Sequence, residues 1–443
     1  MRYLPHTPED VLSMLKEIGV KNIDDLFAPI PTDCRFDHEM NLPEPMNEWE
    51  LTEHIESLAS KTARRPDYQI YIGAGSYDHF IPASIPYLLG RSEFSTAYTP
   101  YQPEISQGTL TAIFEYQTFV SRLLGMEVAN ASLYDGASAL AEAVLMAVRI
   151  GKKNNKIAMS NLIHPNFRKV VNTYLKPTGI EIIDIPMDEN GMTDLSAVSN
   201  LEDIAGIFVQ SPNFFGIIEN LENMKKISST MGCLMCVCFT EPLTYGMLKP
   251  PGFFGADIVC GEGQSFGINQ SFGGPGLGMF ASQMKFVRNM PGRLIGKTKD
   301  INGNDGFVLT LATREQHIRR EKATSNICTN SGLNALTASM YMASLGKKGL
   351  NELAELNHDK AVYLKNSLMN AGCVIPYKSS FFNEFVVKFP EGTYENLLKH
   401  KIVPGIKLDH FFKDLKDYYL VCVTETKKKE NLDAFSEIIQ KGV

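Results

Sequence analysis

No stretch of the sequence approaches the ~20 consecutive apolar residues that a membrane span requires. The first ten residues, MRYLPHTPED, hold no apolar signal core and carry proline and acid early, so the sequence predicts a soluble protein of the cytoplasm. A basic block is also missing. Lys and Arg number 43 against 50 Asp and Glu, a net charge of −7, and the densest basic runs, Arg319–Lys322 and Lys427–Lys429, are short. Solvated helix ends account for these runs better than a phosphate backbone does, which leaves nucleic acid without a binding surface. Cysteine is sparse, and of the eight only Cys233, Cys236 and Cys238 cluster. A zinc site wants a second pair at defined spacing and none follows, so no metal is expected. A spacing of two puts Cys236 and Cys238 on one face of a strand. The almost wholly apolar run Cys233–Phe239 reads as a strand buried on both faces, its thiols reduced. Internal repeats and low-complexity segments are absent as well.

What is present is 443 residues, 44% hydrophobic and 21% charged. That is enough for two to three domains with a large core, which excludes disorder, collagen and a small disulfide scaffold. Residues 1–65 read as N-terminal helices and an extended arm. Thr7 can cap a first helix, with Pro8 in its first turn and Glu9 and Asp10 complementing the dipole. A proline-rich stretch, Pro29–Pro45, then reads as an arm lying over something, before a second helix at Leu51–Thr62. Residues 66–330 alternate short apolar runs (Ile157–Met159, Ile180–Ile185, Ile204–Val209, Leu234–Phe239, Ile258–Cys260) with helical stretches such as Ala137–Ile150 and Leu221–Thr230. This alternation predicts an α/β domain with a mainly parallel sheet. Residues 331–443 read as a long linking helix, Ser331–Ala371, and a smaller α/β domain with strands at Glu384–Phe389 and Tyr419–Val423.

Three glycine-rich places invite a phosphate. Gly73-Ala-Gly75 has Asp78 where a dinucleotide motif needs its third glycine. Pro291–Thr298 imitates a P-loop but is one residue short, which changes the amides that point inward and rejects it. Gly273–Gly278 could bring backbone N–H groups to an anion, or could be a plain turn. Ser138, at the start of a helix, could mark an anion site or simple capping. His164 ends a strand where α/β proteins place functional loops, yet a lone histidine there is more often structural. Tyr98-Thr-Pro-Tyr101-Gln102-Pro-Glu104 differs from linker composition. Its stiff, polar-aromatic character suits a binding surface that must hold its shape.

The segments YTPYQPEISQG (Tyr98–Gly108), EVANASLYDG (Glu127–Gly136) and REQHIRREKATSNICTN (Arg314–Asn330) carry a family resemblance. In them the chain resembles the P-protein of the glycine cleavage system, a pyridoxal-phosphate glycine decarboxylase, and within it the first (alpha) subunit of the bacterial two-subunit form. The resemblance covers essentially the whole chain. It implies the type I, aspartate-aminotransferase-like fold, with a large parallel-sheet domain and a smaller C-terminal α/β domain. It also implies an activity shared with a second (beta) subunit, in an α2β2 assembly. Glycine is decarboxylated, CO2 leaves, and the aminomethyl group passes to the lipoyl arm of the H-protein carrier.

The informative part is a departure from the family. Gly263-Gln264-Ser265-Phe266 stands where catalytic members have His-Lys-Thr-Phe, so Gln264 (or, with a one-residue slip, Ser265) occupies the Schiff-base lysine position. A carboxamide is not nucleophilic. Cys238 falls near the place of the acid beneath the pyridine nitrogen, and without an acid the electron sink is not favoured. The resemblance therefore implies that this chain has no catalytic residue of its own. Pyridoxal phosphate is then bound covalently by the beta subunit, and Tyr98, Tyr101, Gln102, Gly273, Gly274 and Gly276 line a pocket that the partner borrows. Two rivals remain: an autonomous enzyme working through Lys249 or Lys285, and a purely structural or regulatory partner of the catalytic subunit.

Overall fold

The computed structural model describes residues 6–36, 38–151 and 154–442, and the chain divides into two compact units, residues 1–62 and 63–443. In the first unit, helix Pro8–Ile18 begins with a capping box between Thr7 and Asp10 and ends at Gly19 in the left-handed region. The second helix is Glu48–Ala59, three residues earlier than the apolar pattern suggested, because Asn47 and Glu50 form its capping box. Between them lie two short 3-10 turns, Ile23–Phe27 and Thr32–Cys34. The unit buries little of its own. Leu15 is its one buried hydrophobic side chain among the described residues, while Trp49, Leu51, Ile55 and Leu58 are exposed.

The second unit is organised by a seven-stranded sheet. From edge to edge its strands are Val128–Ala129, Gly278–Ser282, Ile258–Glu262, Leu234–Phe239, Ile204–Gln210, Lys156–Ser160 and Glu181–Ile185. The last five pair in parallel, as the alternation of apolar runs and helices predicts. Gly278–Ser282, which the sequence reading did not pick out, runs antiparallel to both of its neighbours. Every residue of Ile204–Gln210 is buried, so both faces are covered. The strand period of two sorts the side chains. Met235, Val237 and Phe239 join one core, while Cys236 and Cys238 join the other, against helix Gly136–Gly151. The P-loop imitation lies in strand Leu294–Lys299, paired antiparallel with Asp305–Thr310.

Helix Gly332–Asn370 is not continuous. At Gly346 the backbone takes φ 59° and ψ −178°, which no helix tolerates and which glycine reaches without a Cβ clash. Beyond it, Glu384–Lys388, Tyr418–Cys422 and Ile406–Lys407 form a three-stranded antiparallel sheet. Its core includes Phe385, Val421 and Phe435, together with Tyr71 from far upstream. Gln69–Ile70 also pairs in parallel with Ile402–Val403. Among the described residues, no helix is long and apolar enough to cross a membrane.

Candidate functional site

The tyrosine loop is held at both ends. The Arg293 guanidinium donates to the buried Thr99 hydroxyl, and Gln107 Nε2 donates to the carbonyls of Pro103 (2.9 Å) and Phe307 (3.0 Å). Within the loop, the Tyr101 N–H donates to Thr99 O, and the Gln102 carbonyl accepts from the amides of Ile105 and Ser106. The loop is therefore stiff, yet Tyr98 and Tyr101 present their rings to solvent, at 75% and 74% exposure. Gln102 is exposed beside them.

Tyr98 lines a cavity of about 390 Å3, together with Ile113 and Tyr116 of helix Gln107–Leu124, Pro275, and Asn330 and Asn334 at the start of the long helix. Among the described residues, no charged side chain lines it. Asn334 Nδ2 donates to Gly276 O at 2.8 Å and fixes the glycine loop to this helix. The fold thus brings the tyrosine loop and the glycine loop, some 170 residues apart in sequence, to one cavity. Gly273 and Gly274 are exposed, with open space around their Cβ positions, and of the residues expected to line a pocket Tyr98 does so, while Tyr101, Gln102, Gly273, Gly274 and Gly276 do not.

A second cluster fills the crevice at the C-terminal ends of the parallel strands, where open α/β sheets place ligands. Gln264 sits here and is fully engaged. Its Oε1 accepts from the Tyr77 N–H at 2.8 Å, and its Nε2 donates to Tyr77 O at 3.1 Å and Ile268 O at 2.7 Å. The Tyr77 hydroxyl donates to Glu384 Oε2 at 2.8 Å and meets the Thr240 hydroxyl at 3.0 Å. Burial pushes the Glu384 carboxyl up to about 7, against hydrogen bonds from Ala74 N–H and Tyr77.

His79 lies buried between Glu241 (Nε2 to Oε2, 2.8 Å) and Glu425 (Nδ1 to Oε2, 2.8 Å). Burial alone would lower its pKa, but the two carboxylates outweigh it and raise it to about 10. Burial likewise acts to raise Glu425, yet its bonds to His79, to Phe80 N–H and to Asn357 bring it down to about 2. The segment of residues 73–79 thus occupies the crevice. A Cβ on Gly73 would lie 2.4 Å from Glu384 Oε1, and Gly75, at φ +91°, passes just under the His164 ring. The residues present here do not fit a pyridoxal-phosphate ring on position 264. The amide there is tied to Tyr77, and Tyr77 and His79 take up the space.

The other candidates resolve as follows. His164 is structural. It caps helix Pro165–Leu175 through Asn166 N–H, and its Nε2 meets Ala74 O at 2.8 Å, so Nε2 carries the proton. Ser138 belongs to a cap, its N–H bound by Asp135 at 2.7 Å. Cys238 is buried in the core, where burial drives its thiol pKa far up, and Thr240 and Glu241 occupy the strand end beyond it. Lys285 pairs with Asp257, at the opposite end of strand Ile258–Glu262, and Lys249 lies over the Phe253 ring. Among the described residues no group of His, Cys, Asp and Glu is arranged to hold a metal. The sequence reading missed Tyr77, His79, Glu241, Glu384 and Glu425. Scattered singly along the chain, they carry no local motif, and the one available signal was Gly73-Ala-Gly75, which marks a close backbone approach.

The glycine cleavage system P-protein family model matches residues 1–439. A protein of Desulfotalea psychrophila named "Probable glycine dehydrogenase (decarboxylating) subunit 1" is 51% identical over 444 residues, covering 100% of this chain and 99% of its own. A solved glycine decarboxylase (P-protein) of the glycine cleavage system, in inhibitor-bound form, superposes with a TM-score of 0.89 at 39% identity, covering 100% of both chains. The sphingosine-1-phosphate lyase of Burkholderia pseudomallei, 15% identical with a TM-score of 0.67 and covering 93% and 94%, shares the fold alone. The fold is accordingly the type I fold of pyridoxal-phosphate enzymes. By the full-length family match and by identity well beyond what fold alone produces, the chain belongs to the glycine cleavage system P-protein family.

Proposed function

We propose that this chain is subunit 1 of a two-subunit glycine dehydrogenase (decarboxylating), and that it completes an active site whose pyridoxal phosphate is carried by the second subunit. The observation that carries the reading is an inversion. The strand-end crevice, where this fold places chemistry, is packed with the chain's own hydrogen-bonded side chains. The tyrosine loop, by contrast, is pinned and open. When bound, the cofactor supplies the electron sink for loss of CO2 from glycine.

This chain supplies position and shelter. Arg293 and Gln107 hold the loop. Tyr98 and Tyr101 each present a ring face and a hydroxyl able to hydrogen-bond a carboxylate or phosphate. The uncharged cavity beside them excludes water from the reacting groups. An α2β2 assembly in the cytoplasm, with the lipoylated H-protein as acceptor of the aminomethyl group, belongs to the same reading. The test is to assay glycine decarboxylation by each chain alone and by the two together. Activity only in the mixture, lost when the tyrosines are replaced, supports the reading. Full activity of the mixture with Tyr98→Ala and Tyr101→Ala combined leaves only a structural or regulatory partner.

A further inference from the structure

The sequence offers two separate places for an anion, the glycine loop Gly273–Gly278 and the N-terminus of helix Gly136–Gly151. The fold brings them together, and the carboxylate of Glu262 lies between them. Its Oε2 accepts from the Gly136 N–H at 2.9 Å, and its Oε1 accepts from Leu277 N–H at 2.8 Å and Gly263 N–H at 3.1 Å. Burial pushes this carboxyl up to about 7 against its amide hydrogen bonds, so it is an ion at pH 8, and the first-turn amide of a 16-residue helix adds the favourable end of its dipole. The fit is tight. A Cβ on Gly276 would lie 3.0 Å from Glu262 Oε2 and 2.9 Å from Asp135 Cβ.

An independent observation comes from Tyr116. Its ring is 1% exposed, its hydroxyl is enclosed without a hydrogen-bond partner, and it is near enough to Glu262 for that charge, after burial, to raise its pKa. Three amides donate to this one carboxylate, and one enclosed hydroxyl that feels its charge has no partner. The two oxygens of the carboxylate satisfy the three amides, and the phenol is left unmatched. A phosphate group has more oxygens to offer.

We infer that Glu262 is this chain's internal stand-in for a bound phosphate, filling from within an anion cradle that closes the chain's own strand-end site to phosphate-bearing cofactors. The inference concerns the cradle of this chain alone. Its test uses no activity, so it stands or falls separately from the subunit reading.

The test compares the full-length wild-type chain with Glu262→Ala at pH 8, following Tm as inorganic phosphate is raised against chloride at matched ionic strength. The wild type should show no phosphate-specific rise. The variant, its cradle emptied, should start lower and recover along a saturating curve, reaching roughly 3 °C when phosphate is about a hundredfold above its Kd. A saturating, phosphate-specific rise in the wild type overturns the inference, and so does a variant that ignores phosphate. Glu262→Gln keeps the size and removes the charge, and gives a reading if the alanine variant does not fold. Its Gly136 and Leu277 amide protons should exchange about tenfold faster than in the wild type. Unchanged protection at both amides overturns the inference.

Discussion

Replacing His79 by Gln removes the one cation between two buried carboxylates. Glu241 and Glu425 each lie 2.8 Å from an imidazole nitrogen, and all three side chains are almost wholly enclosed. Taking one partner from a buried ion cluster costs about 3–5 kcal/mol, because the remaining charges stay buried without compensation. The unit of residues 63–443 has about 380 residues. At about 2.1 cal/mol/K per residue, its unfolding entropy is ~0.8 kcal/mol/K, so Tm should fall by roughly 4–6 °C. The pH dependence is the sharper check. The folded pKa of His79, about 10, lies above the ordinary 6.5. Its stabilisation is therefore full below pH ~6.5 and is lost as pH rises through 10. Scanning calorimetry of both proteins from pH 6.5 to 10 should show a Tm gap that is widest at the acid end and closes towards pH 10. A gap below about 1 °C at pH 6.5, or one that stays constant across the range, would refute the reasoning.

Tyr98→Phe and Tyr101→Phe remove only a hydroxyl from rings that are exposed in this chain. In the assembled enzyme each should lower the decarboxylation rate about five- to a hundredfold, or ~1–3 kcal/mol, without changing assembly in sedimentation. Gln264→Lys should create no decarboxylase activity in this chain alone, and should lower Tm through loss of three hydrogen bonds to Tyr77 and Ile268. Robust activity of that variant without a second subunit would contradict the reading of the crevice. Residues 1–62 carry 13 acidic and 5 basic residues, more negative charge than the whole chain's net −7, together with exposed Trp49, Leu51, Ile55 and Leu58. Deleting the residues before Leu51 should shift the complex towards free subunits. In the intact complex, raising salt should weaken association in the same direction.

The parallel strands were legible because each is a short apolar run between helical stretches, and the cores on the two sides of the sheet follow the period of two along Leu234–Phe239. Their direction was not fully legible. Gly278–Ser282 is buried on both faces, so its pattern says nothing about parallel or antiparallel pairing. The helix Gly332–Asn370 kept its apolar spacing across Gly346, and periodicity does not register a break that one glycine makes. The tyrosine loop stood out by composition, as a stiff polar-aromatic segment. Its anchor Arg293 did not, since an arginine 194 residues away from Thr99 leaves no local trace. The crevice was the least legible part. Gln264 meets Tyr77 across 187 residues, and His79 meets Glu425 across 346, so nothing in either neighbourhood announces the pair.

The segment Gln69–Phe80 makes many of its ties to residues that are synthesised much later. Tyr71 bonds Val403 and Asn431, Tyr77 bonds Glu384, Asp78 accepts from Thr424, and His79 and Phe80 bond Glu425. A ribosome adding about 5–20 residues per second needs roughly 15–60 s to cover the ~300 residues between Phe80 and the first of these partners. For that interval the sheet can assemble and Tyr77 and His79 can meet Gln264, Thr240 and Glu241, but their partners Glu384 and Glu425 are not yet made. A polypeptide that stops short of Glu384 therefore lacks the acceptors of the Tyr71 and Tyr77 hydroxyls, Asn431 O and Glu384, and the second carboxylate that holds His79.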